Sequence, residues 1–173
     1  MLFRSRMKHV KGNIFDSDAD AILHQVNCQG VMGSGVAKQV RERFPTVFQY
    51  YKSLCDYDKK VRADQGLTKS TLLGRAQVVY KEDYLVGDKD IDPQVIVNLF
   101  AQDKYGYDGN CYTDYDALRK CLEQVNKQFA GKKIAIPYLM ACHRGGGDWS
   151  VVSKMIEETL CDCDVTLYEY CGR

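Results

Sequence analysis

Three glycines within six residues, Gly30, Gly33 and Gly35, follow the apolar run Ala21 to Val26. An apolar strand that enters a glycine loop, which then opens into a helix, is the order of parts that builds an anion site. Glycine lets the backbone bend sharply and approach a ligand closely. Free N–H groups at the helix start then face the anion, and the helix dipole adds to the attraction. A second such loop, His143-Arg144-Gly145-Gly146-Gly147-Asp148-Trp149, also lies between an expected strand and an expected helix. Two loops of this kind at one sheet edge could grip a diphosphate from both sides. The glycine spacing is neither the GxGxxG dinucleotide fingerprint nor a Walker loop. Tight turns alone would also explain the glycines.

Other side chains near the loops have chemistry to offer. His24 could be a general base or a buried, satisfied histidine. Asp148 could be a base, but an N-cap role explains it fully. Arg144 is the best candidate for holding a phosphate, the alternative being a solvated loop charge. Tyr105 and Tyr107 follow the strand that ends near Phe100 and could cover a sugar, the alternative being exposed tyrosines of a plain surface loop. Cys142 and His143 read as strand neighbours on opposite faces, so a Cys–His nucleophile pair is not expected.

The elements that must position these residues alternate between strand and helix. Strands are expected over Lys8–Phe15, Ala21–Cys28, Ala76–Tyr80, Val95–Phe100, Lys133–Leu139 and Val165–Tyr170. One helix runs from Gly35 to Phe44 and is interrupted by Pro45. A second follows with Val47, Phe48, Tyr51 and Leu54 inward, and residues 56–70 read as a polar surface connection. A loop spans 81–93. Thr113 reads as the N-cap of a helix with Leu118, Cys121, Leu122, Val125 and Phe129 on one face, ended by Gly131. Asp148 starts the last helix, with Val151, Val152, Met155, Ile156 and Leu160 inward. The pattern predicts an α/β fold with a parallel or mixed sheet covered on both faces.

The 173 residues fit one domain of 7–173, with residues 1–6 as a flexible extension before Met7. A net charge of +1 gives no strong nucleic-acid signal. No segment approaches a membrane span, and the start has no signal-length apolar run. Eight scattered cysteines then read as reduced thiols of a cytoplasmic protein. Cys161 and Cys163 alone make no metal site, and no cofactor is expected.

Four motifs carry a resemblance: Gly12-Asn13-Ile14-Phe15, His24 through Ala37, Asn98-Leu99-Phe100-Ala101-Gln102, and Gly145-Gly146-Gly147-Asp148-Trp149. In this order they resemble the macrodomain family of ADP-ribose-binding modules. The likeness is strongest to the compact branch that processes ADP-ribose 1″-phosphate or removes ADP-ribose from macromolecules. The resemblance implies a three-layer α/β/α macrodomain sandwich with a mixed sheet of about six strands. It implies ADP-ribose, ADP-ribose 1″-phosphate or an ADP-ribosylated macromolecule as partner. Asn13, with Ile14 beside it, matches the residue that accepts the adenine amino group, where the family usually has Asp. Asn27 matches the contact to the distal ribose. Gly33, Ser34, Gly35 and Val36 match the first phosphate loop, and His143, Arg144, Gly145, Gly146 and Gly147 the second. Tyr168 and Tyr170 match the strand end that offers an aromatic to adenine, although core or surface tyrosines would look the same.

Related glycohydrolases attack the ribose with a lysine, and that position here is Gln102, which can neither form a Schiff base nor act as a base. The aspartate that some relatives use falls at about Gly145. A hydrolase would therefore rely on a positioned water, with Asn27, His24 and Asp148 as the candidate catalytic residues. The alternatives are a non-catalytic module that reads or sequesters ADP-ribose, and an unrelated α/β nucleotide enzyme that converged on glycine loops.

Overall fold

A computed structural model describes residues 7–81 and 94–170. The expected extension 1–6 and nearly all of the expected loop 81–93 lie outside the described residues. The elements run β1 (Lys8–Lys11), a 3-10 turn (Ile14–Asp16), β2 (Ala21–Asn27), α1 (Gly35–Arg43), α2 (Pro45–Gln65), β3 (Ala76–Tyr80), β4 (Val95–Gln102), α3 (Tyr115–Gln128), β5 (Lys133–Pro137), α4 (Trp149–Thr159) and β6 (Asp164–Glu169). Among the described residues the sheet has six strands in the order β1-β6-β5-β2-β4-β3. Of these, β3 runs antiparallel to its neighbour, and the other pairings are parallel.

Alternation along β2 sorts the core into two layers, because successive side chains take opposite faces. Ala21 and Leu23 pack with Leu118, Leu122 and Val125 of α3 and with Val152 and Ile156 of α4. Ile22 and Val26 pack with Val40 of α1 and with Val47, Tyr51 and Cys55 of α2. Helices therefore cover both faces, which is the three-layer sandwich. Each fully buried Leu or Ile contributes roughly 1.5–3 kcal/mol. β4 is buried over all eight residues, and β1 is exposed over all four. Lys8 and Lys11 on that edge discourage pairing with another chain.

Several expectations are corrected. β1 stops at Lys11, because Asn13 Oδ1 accepts from Phe15 N (2.9 Å) and turns the chain into the 3-10 turn. Residues 56–65 are not a connection but the continuation of α2, which ends at Gly66 in the left-handed region (φ 65°). Buried Asp58 is the reason: it accepts from Ser70 Oγ (2.7 Å), Thr71 Oγ1 (2.6 Å) and Thr71 N (2.9 Å), with Arg62 Nε at 3.3 Å. Burial opposes ionisation of Asp58, yet these donors together hold its pKa below the usual value. The cap of α3 is Asp114, accepting from Ala117 N, and not Thr113. Helix α3 ends at Gln128, with Phe129 as C-cap. Val151 is exposed, and Cys142 lies in the turn after β5 instead of in a strand.

No helix of the described residues is long and apolar enough to cross a membrane. Among them, no group of three or more His, Cys, Asp or Glu is placed to hold a metal. Burial pushes the thiols of Cys28 and Cys121 up to about 12 and that of Cys55 to about 11, so these are poor nucleophiles.

Candidate functional site

A cleft of about 310 Å³ lies at the C-terminal ends of β2, β4 and β5. Its walls are the first glycine loop with the start of α1, the loop after β4, and the turn after β5. That is the edge where open α/β sheets bind ligands.

The first loop is shaped from behind. Asn27 Oδ1 accepts from Gln29 N (3.0 Å) and from Tyr51 Oη (2.7 Å), and Asn27 Nδ2 donates to Val31 O (2.8 Å). Lys59 Nζ reaches Gln29 O (3.0 Å). The second N–H of the Asn27 amide makes no hydrogen bond among the described residues, and an amide is no base. Gly30 (φ 83°) and Gly35 (φ 59°) turn the chain, and a Cβ on Gly35 would meet nothing within 4 Å. Ser34 precedes α1 without a side-chain capping bond, so it leaves the amides of the first turn unfilled.

The second loop has glycines for a different reason. A Cβ on Gly145 would meet Thr113 Oγ1 at 2.5 Å, Ala141 O at 2.6 Å and Gln25 Nε2 at 2.8 Å. On Gly146 it would meet Asn110 O (2.4 Å), and on Gly147 Ala141 O (2.8 Å). Gly145 O accepts from Tyr112 N (2.8 Å) and Thr113 N (3.0 Å). These glycines buy close packing against residues 110–113 as well as any approach to a ligand. The same turn holds Leu139 (φ 62°) and Ala141 (φ 70°), two non-glycine residues in the left-handed region.

Below both loops lies an amide network. Gln25 Nε2 donates to Gln102 Oε1 and to Thr113 Oγ1, both at 2.9 Å. Gln102 Nε2 donates to Lys104 O (3.0 Å), and Thr113 Oγ1 to Ala141 O (2.8 Å). Gln102, 7% exposed, thus ties β4 to its own following loop. His24, 2% exposed, faces Asn98 Oδ1 through Nε2 (2.5 Å), and burial pulls its pKa down to about 4. At the rim, the Arg144 guanidinium lies 4.6 Å from the centre of the exposed Tyr107 ring, a cation–π contact across the mouth.

Of the residues singled out in the sequence, His24, Asn27, Gly33, Ser34, Gly35, Val36, Gln102, Tyr105, His143, Arg144 and Gly145 line the cleft. Asn13, Ile14, Gly146, Gly147, Asp148, Tyr168 and Tyr170 do not. The side chain of Asn13 is spent on the 3-10 turn, and Ile14 is buried. Asp148 caps α4, accepting from Ser150 N (2.8 Å) and Ser150 Oγ (2.6 Å), and those bonds lower its pKa. Tyr168 lines a separate polar groove with Lys8, Asp18, Lys133 and Asp164, and Tyr170 is exposed. Gln25, Tyr51 and Thr113 were missed as parts of the site. The one signal for Gln25 was an amide inside an apolar strand.

No family model matches the chain. It is 27% identical over 165 residues to a DNA ADP-ribosyl glycohydrolase of Mycobacterium tuberculosis, covering 93% of this chain and 41% of that relative. It is 38% identical over 53 residues to an ADP-ribose 1″-phosphate phosphatase of Aspergillus fumigatus, covering 30% of this chain and 26% of that one. The chain thus spans less than half the length of either relative. The solved macrodomain of Mycobacterium tuberculosis DarG superposes with a TM-score of 0.67 at 25% identity, over 94% of this chain and 97% of that one. With the six-stranded mixed sheet between helical layers and the motifs in their order, the chain has the macrodomain fold.

Proposed function

We propose that the chain binds ADP-ribose or a close derivative in this cleft and hydrolyses an ADP-ribosyl adduct or ADP-ribose 1″-phosphate with a positioned water. One observation carries the binding half: a glycine loop opens into the uncapped start of α1 on one wall, and Arg144, without a carboxylate partner among the described residues, stands on the other. N–H groups of that first turn and the guanidinium would share the diphosphate charge. The remaining Asn27 N–H would hydrogen-bond the ribose. Of the two substrate classes, an adduct on a macromolecule is favoured. The likeness to a DNA ADP-ribosyl glycohydrolase spans the domain, whereas the likeness to the phosphatase covers 53 residues. In that reaction water adds at the anomeric carbon, the bond to the macromolecule breaks, and the proton goes to the departing group. The chain would contribute orientation and charge stabilisation. Free thiols fit a reducing compartment such as the cytoplasm.

A second reading, a non-catalytic reader, has its own support. Among the described residues the cleft lining holds no lysine and no carboxylate, and both amide atoms of Gln102 are engaged within the fold. The decisive assay follows ADP-ribose release from an ADP-ribosylated oligonucleotide and phosphate release from ADP-ribose 1″-phosphate, beside calorimetry with ADP-ribose. Turnover of either is expected. Tight binding with neither decides for the reader, and no binding at millimolar ADP-ribose overturns both readings. Gly33→Glu, which fills the first loop, is the control expected to lose binding.

A further inference from the structure

Two adjacent residues of β2 line the cleft, and each carries a buried acceptor with no protein partner, His24 Nδ1 and Gln25 Oε1. A polar ladder fixes the histidine. Gln77, Asn98 and His24 stand opposite one another on β3, β4 and β2. Asn98 Nδ2 donates to Gln77 Oε1 (3.0 Å), so Asn98 presents its oxygen to His24 Nε2 (2.5 Å). An oxygen there requires the proton on Nε2, which leaves Nδ1 with a bare lone pair. The two ring nitrogens point in divergent directions. With Nε2 turned to β4, the Nδ1 lone pair is directed away from β4.

Buried acceptors almost always have a donor, and an unmet one costs free energy. An apolar side chain at position 24 would leave no such acceptor to satisfy. Instead three strands hold the ring in one tautomer beside the cleft. We propose that His24 is a ligand-binding residue whose Nδ1 accepts a hydrogen bond from a ribose hydroxyl of the bound ADP-ribosyl group. The proposal rests on the binding reading above. The depressed basicity of the buried ring fits the role, since a neutral acceptor is kept throughout the neutral pH range. His24 thereby orients the sugar and transfers no proton.

The test uses the whole chain labelled with ¹⁵N-histidine and titrated with ADP-ribose, after calorimetry on the unlabelled protein. The chain has three histidines, and His24 is identified as the resonance lost in His24→Phe, or as the one that stays neutral as pH falls below 6. Expected is an upfield move of the Nδ1 resonance on binding, with Nε2 still protonated, and about tenfold weaker ADP-ribose binding by His24→Phe. If the wild-type chain binds ADP-ribose but Nδ1 does not shift, the proposal is overturned while the binding reading stands. If the wild-type chain does not bind, the binding reading fails, and the proposal falls with it. The resonance is read on the wild-type chain, so a His24→Phe protein that fails to fold leaves the test intact.

Discussion

Replacing Gly145 with alanine separates packing from ligand approach in the two glycine loops. The added Cβ would sit 2.5 Å from Thr113 Oγ1, 2.6 Å from Ala141 O and 2.8 Å from Gln25 Nε2. One of these atoms is backbone, and the other two are joined by a hydrogen bond of 2.9 Å. Relief requires moving the turn, at about 1–3 kcal/mol for overpacking. It also breaks or stretches at least one buried hydrogen bond, at about 1 kcal/mol. A total of about 3 kcal/mol lowers Tm by roughly 6–12 °C in a chain of this size. Gly33→Ala is the contrast, because its Cβ would meet only Val31 Cγ1, at an ordinary 3.5 Å. Paired urea and thermal melts should show a large loss for Gly145→Ala and a change within about 0.5 kcal/mol for Gly33→Ala. ADP-ribose calorimetry should show the reverse order of specific damage, with Gly33→Ala folded but weaker in binding. A Gly145→Ala protein as stable as wild type would refute the packing account of the second loop.

Four further outcomes follow from other contacts. Tyr51→Phe removes the hydroxyl that donates to Asn27 at 2.7 Å, and should cost about 1–2 kcal/mol in urea unfolding as well as weaken ADP-ribose binding. Asp58→Ala leaves Arg62, Ser70 and Thr71 without their shared acceptor. It should cost about 3 kcal/mol, and a melt unchanged by the substitution would contradict the anchoring of residues 66–75. Ala141→Gly relieves a left-handed backbone and should raise stability by about 0.5–1 kcal/mol, read as a higher urea midpoint. For His24 the folded pKa is about 4 against 6.5 unfolded, so the unfolded chain binds the extra proton between those values. Wild-type stability should therefore fall by roughly 1 kcal/mol per pH unit as pH drops from 6.5 to 4, and His24→Phe should lack that slope.

The layers of the fold were legible because Val95–Phe100 is a nearly continuous apolar run, as a central strand buried on both faces must be, and Tyr115–Gln128 carries a strong helical period. The second half of α2 was not. Its inward face includes a carboxylate, Asp58, whose partners Ser70 and Thr71 come from beyond the helix, and hydropathy reads such a residue as surface. At α3, Thr113 and Asp114 are both good caps. The choice fell to Asp114 because the Thr113 hydroxyl is committed to Ala141 O, a contact 28 residues away. The first glycine loop was readable because its glycines answer to local geometry: Gly30 and Gly35 take the left-handed region, and a Cβ on Gly33 or Gly35 would meet no close neighbour. The second loop and Asn13 depend on segments distant in sequence or on a local turn that competes for the side chain.

Tyr51, Asn27 and Lys59 together mean that the first glycine loop has its shape before any ligand arrives. The entropy of ordering that wall is spent during folding instead of at binding. Rigid anions of the right curvature should therefore gain more from this wall than flexible ones of equal charge. A search for inhibitors would do well to begin with stiff, compact diphosphate mimics, and to leave adaptability to the part of the molecule that meets Tyr107 and Arg144.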